Sequence, residues 1–162
     1  MPGDDLLPDA VGTVDHFVDI HATPEQIWPW LVQMGCRRGG FYSLDLLDNA
    51  NKESAREIHP ELQDVRVGDV LPATPDANEG FEVLAVDEPN AFILGGLFDR
   101  NGGGQLPFAA ERPEHYWHIT WAFILEPLDG DLTRLHARAR AAASASEGWH
   151  LTTVQPLHGI ME

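Results

Sequence analysis

Two stretches of the chain alternate cleanly between apolar and polar positions. In "TVDHFVDI" (13–20), Val14, His16, Val18 and Ile20 share one side, and Asp15, Phe17, Asp19 and, one residue on, His21 share the other. That predicts a strand with one mostly apolar face. In "HYWHITWAFILEP" (115–127), Trp117, Ile119, Trp121, Phe123 and Leu125 fall together. "LDGDLTRLHARARAAA" (128–143) returns after an Asp-Gly turn, which predicts a hairpin. Further strands are predicted around 65–71, 81–86 and 91–97, the last two separated by the turn signal "DEPN". Residues 99–115, "DRNGGGQLPFAAERPEH", read as a long flexible connection.

After the first strand the period changes to that of a helix. Thr23 can cap it, Pro24 suits its first position, and Gln26 completes a capping box. Ile27, Trp30, Leu31 and Met34 then form one buried stripe. Pro29 is expected to bend the helix, and Gly35 to stop it. A second short helix is expected from Ser43, with Leu44 and Leu47 inward, and residues 146–162 read as the approach to a C-terminal helix. Residues 1–12 look like a flexible lead-in, and 13–162 like one domain. The sum is an α+β chain: a curved antiparallel sheet of about six or seven strands, with two short helices and a C-terminal helix on one side.

Charge narrows the partners. The chain has 10 Lys+Arg against 26 Asp+Glu, a net charge of −16, and no basic residue before Arg37. Such a field repels phosphate backbones and anionic headgroups, so neither nucleic acid nor a membrane surface is expected as a partner. No run approaches the ~18 apolar residues of a membrane span. The acidic start is unlike a secretory signal, and the single cysteine, Cys36, forms no internal disulfide. A reducing cytoplasm is the expected compartment.

Candidate chemistry is sparse. "QMGCRRGGFYSLD" (33–45) combines glycines, arginines and the cysteine, but it follows a helix and lacks the Lys of a phosphate loop. It reads as a helix stop and a sharp turn. Cys36 has Arg37 and Arg38 nearby, yet no His is placed beside it. His115 and His118 differ in parity, and no Cys/His cluster exists, so no metal or other cofactor is expected. His16, on the apolar face of the first strand, is either a core residue or a polar anchor. Arg134, His136, Arg138 and Arg140 share a face whose meaning depends on register. A turn at 129–131 pairs Leu125 with Leu135 and Phe123 with Ala137, sending the arginines to solvent, at no cost in buried charge. A two-residue turn pairs Trp121 with Arg138 and turns Arg138 and Arg140 into a ligand anchor. The aromatic candidates for a cavity wall are Trp117, Trp121, Phe123, Trp30 and Phe81, with small residues Ala137, Ala139 and Ala141 leaving room.

The strings "VDIHATPEQIWPWLVQMGCRRGGFYSLD" (18–45), "IHPELQDVRVGDVLP" (58–72), "WAFILEPLDGDLTRLHARAR" (121–140) and "HGIME" (158–162) resemble the START-like helix-grip superfamily. This is the polyketide cyclase/dehydrase, SRPBCC-type or birch-pollen-allergen-like group. The resemblance implies a bent sheet gripping a C-terminal helix around an apolar cavity. The superfamily holds lipid and sterol carriers, hormone-binding proteins, aromatic polyketide cyclases and chaperone-activator domains. The expectation is therefore binding of a small apolar or aromatic molecule without covalent chemistry. A cyclase or dehydratase is the alternative, with His16 or Arg138 as acid or oxyanion stabiliser and Tyr42 as proton donor, and so is a protein-interaction module using the groove. In similar proteins the string matching "GIME" opens a long closing helix, whereas here the chain ends at Glu162. A short closing helix, and a homodimer that covers the groove, are the corresponding expectations.

Overall fold

The computed structural model describes residues 1–42 and 53–145. Its elements are β1 (Gly12–Ile20), α1 (Pro24–Val32), β2 (Val70–Pro72), β3 (Gly80–Asp87), β4 (Ala91–Asp99), β5 (Gly104–Leu106), β6 (Tyr116–Pro127) and β7 (Thr133–Ala143). The strands form one curved antiparallel sheet in the order β1-β7-β6-β4-β3-β2, with β5 also paired to β4. A bulge between Val83 and Ala85 breaks the β3–β4 register, the kind of device that bends a sheet. With α1 and short 3-10 turns at Asp4–Leu6 and Pro60–Leu62, the described residues form an α+β fold. The expected helix at Ser43 and the C-terminal helix lie outside the described residues.

Helix α1 starts as its sequence predicts: the Thr23 N–H donates to Gln26 Oε1 at 2.9 Å in a capping box, and Pro24 takes the first turn. It buries Ile27, Trp28, Leu31 and Val32. Trp28 and Val32 widen the stripe beyond the predicted positions, and Trp30 is only half-buried.

Register decides the faces of the sheet. Leu125 pairs with Leu135, Phe123 with Ala137 and Trp121 with Ala139, so the apolar rows of β6 and β7 coincide. On β1, Val14, His16 and Val18 face the same way, opposite Ala139, Ala137 and Leu135. On β4, Phe92 and Leu94 join them across from Phe123 and Trp121. This inner face meets α1, and Phe92, Leu94 and Val83 are fully buried there. Each such side chain contributes about 1.5–3 kcal/mol by leaving water.

Three expectations are corrected. The strand expected around 65–71 begins only at Val70. Before it, the Arg66 N–H donates to Asp69 Oδ2 at 2.8 Å and Gly68 takes φ 94°, a turn. The connection 99–115 contains β5, and Phe108 anchors it by burying its ring and donating its N–H to Glu82 Oε2 at 2.8 Å. The lead-in expected at 1–12 is tied to the sheet, with Gly12 already in β1. Leu7 is fully buried, and the Val11 N–H donates to the Ala141 carbonyl at 2.8 Å.

Candidate functional site

The segment 33–42 is a structural hub. Gln33, the C-cap of α1, is fully buried. Its Nε2 donates to the Tyr42 hydroxyl at 2.6 Å and to the Glu57 carbonyl at 3.2 Å, and its Oε1 accepts the His59 N–H at 3.1 Å. One amide thus fastens the helix end to the 53–63 segment. Arg38 folds back over the same helix end, donating to the Met34, Val32 and Leu62 carbonyls at 3.0–3.1 Å. A cation there satisfies orphan carbonyls and suits the helix dipole. Gly35 and Gly40 exchange backbone hydrogen bonds at φ 126° and 77°, conformations that favour glycine. Cys36 is fully buried, leaving no exposed thiol.

This hub sets one wall of an apolar cleft. Roughly 330 Å³ of space lies between α1, the ends of β1 and β7, and Tyr42. Ile20, Ala22, Ile27, Trp30, Leu31 and Leu135 line it, with Tyr42 and Gln26. Trp30 and Tyr42 meet edge to face with ring centres 5.9 Å apart. The Tyr42 hydroxyl accepts from Gln33, and burial raises its pKa against that hydrogen bond. Gln26 spends its Oε1 on the helix cap. Among the described residues, no lining side chain is charged.

The predicted site residues separate into groups. Trp30 and Tyr42 line the cleft. Trp121 sits in the inner core among Phe41, Phe81 and Phe123, at 6.3, 5.7 and 4.6 Å between ring centres. Trp117 lies further along β6 with the Arg100 guanidinium 4.5 Å above its ring. His16 stands on the inner face of β1, opposite Ala137, with its side chain exposed. Arg138 and Arg140 are on the outer face, because the observed register is the one that keeps charge off the inner face. Arg138 holds Asp4 at 2.9 Å and Asp15 at 3.0 Å, and Arg140 meets the Asp4 carbonyl. They are not brought to the cleft. Among the described residues, no three His, Cys, Asp or Glu side chains gather as a metal site. Ile20, Ala22 and Leu135 were not among the expected site residues. The inward parity of Ile20 and the Leu125–Leu135 pairing were signals that could have found two of them.

No protein-family model and no curated protein matches the sequence. Solved structures do. An HSP90 activator from Plasmodium falciparum is 12% identical, covering 91% of this chain and 96% of that one, with a TM-score of 0.47. Norcoclaurine synthase from Thalictrum flavum is 14% identical, covering 98% and 83%, at 0.48. Ginseng major latex-like protein 151 from Panax ginseng is 13% identical, covering 88% and 90%, at 0.42.

Proposed function

We propose that this protein binds a small, neutral, apolar or aromatic molecule in the cleft between α1 and the β1–β7 edge, without covalent chemistry. The observation that carries the reading is the lining itself: among the described residues it is apolar and aromatic with no charge, Gln26 is turned to the helix cap, and the tyrosine hydroxyl is already engaged by Gln33. Such a surface gains affinity from area removed from water and from ring contacts. A cyclase or dehydratase has no comparable support, since among the described residues Tyr42 lines the cleft while neither His16 nor Arg138 does, and Arg138 lies on the outer face. A chain whose one cysteine is buried suits a reducing cytoplasm.

The test is titration with the neutral fluorophore N-phenyl-1-naphthylamine. The wild type should bind it saturably at one site. Ala22→Trp, which fills the cleft, should abolish binding while leaving the melting temperature nearly unchanged. No saturable binding, or binding that Ala22→Trp leaves intact, would overturn the reading.

A further inference from the structure

The outer face of the sheet carries a second, smaller core, closed by residues 1–11. Leu7 is fully buried, between Asp4, which binds Arg138, and Asp9, which binds Arg112 through both carboxylate oxygens. Arg112 in turn donates from Nε to His118 Nδ1 at 2.9 Å. A chain of three side chains therefore runs from the N-terminal segment to a histidine that is only 6% exposed.

That histidine can hold its place only when neutral. Since Arg112 donates, Nδ1 must offer a lone pair, and the ring proton is on Nε2. Nε2 meets no acceptor in hydrogen-bond geometry. The adjacent strands offer Leu97 on β4 and Ala142 on β7. The covering loop offers the Phe108 ring, 4.3 Å from the imidazole, and the Phe108 carbonyl. The charges acting on the ring are those of Arg112 and Asp9, while Glu82 on β3 is engaged by the Phe108 N–H.

We propose that residues 1–11 form a latch over the outer face, and that protonation of His118 opens it. A protonated ring has a donor on both nitrogens, so Nδ1–H would face Arg112 Nε–H and the hydrogen bond would be lost. Arg112 must then turn away, and Asp9 loses the guanidinium that holds it. Burial first and Arg112 second keep the His118 pKa below its ordinary 6.5, against the pull of Asp9 and the Phe108 carbonyl. Asp9, hydrogen-bonded to Arg112, is depressed to about 2 and stays ionised throughout. Histidine is the residue that changes in that window.

The experiment is amide hydrogen exchange, corrected for intrinsic rates, between about pH 7.5 and about pH 5. The Val11 amide, bonded to the Ala141 carbonyl, reports the latch, and Leu94 reports the inner core. Loss of one hydrogen bond to a charged group predicts a fall in Val11 protection on the order of tenfold, with Leu94 unchanged. His118→Gln keeps an acceptor for Arg112 and cannot be protonated, so its Val11 protection should stay flat. A flat wild type, or a variant that loosens at the same pH, overturns the proposal. If His118→Gln does not fold, the wild-type ring titration followed by NMR decides. A midpoint shared with Val11 opening supports the latch, and separate midpoints sink it.

Discussion

The two faces of the β6–β7 ladder share a backbone and differ in how they are held. Inward, Leu125, Phe123 and Trp121 meet aromatic and aliphatic neighbours beneath α1. Outward, Glu126, Ala122 and Thr120 stand opposite Arg134, Arg138 and Arg140, whose partners come from β1 and the N-terminal segment. The inner face is cemented by volume, and a deletion there leaves a void that the sheet cannot close. The outer face is fastened by charge pairs and one leucine on a segment that can come away while the sheet stays folded.

Substitutions should expose that asymmetry. Phe92→Ala, at a fully buried inner position, is expected to cost about 3–5 kcal/mol in urea unfolding. A loss close to zero would mean the inner core is not the centre of cooperativity. Leu7→Ala removes an equally buried side chain from the outer face. It should cost only about 1–2 kcal/mol, because the segment detaches before the sheet unfolds. Equal losses at the two positions would erase the distinction.

Acidification comes next in size. A histidine with a depressed folded pKa adds stability that is complete above 6.5 and is lost as pH falls toward that folded value. The urea midpoint should therefore drop between about pH 7 and about pH 5, and drop less in His118→Gln. Asp9 is not the source, since its contribution is complete above its ordinary 3.8 and is lost only below that, as pH falls toward about 2. The smallest effect belongs to Asp19→Ala. It breaks the exposed Arg134 pair, and Arg134 still lies 4.9 Å above the Phe17 ring. Its unfolding curve should overlay that of the wild type, as exposed pairs contribute little.

Local pattern made much of the fold legible. Alternation located β1 and β6, the capping box located α1, and the β6–β7 register followed from refusing to bury arginine on an apolar face. What local pattern could not show is the contact that spans the chain. Asp9 finds Arg112 at a separation of 103 residues and Asp4 finds Arg138 at 134. From the sequence, Leu7 is one apolar residue in an acidic lead-in, and His118 only a matter of parity. β5 pairs through three residues, too short for any period. The cleft was half legible. Trp30 was named for its ring and Tyr42 as a proton donor, whereas Ala22 lines it only because the chain turns there into α1. Gln33 carried no signal at all, since its role depends on the distant backbone at Glu57 and His59.

Among the described residues β1 pairs with β7 alone, so synthesis separates it from its partner by most of the sheet. Asp19 waits for Arg134, 115 residues later. At ~5–20 residues per second of translation, β1 stays without its sheet partner for on the order of ten seconds. During that interval Val11, Phe17 and Val18, still exposed in the finished fold, stand beside the acids of the opening twenty residues. Those acids, most of them later claimed by arginines, keep the nascent strand in solution until its neighbour arrives.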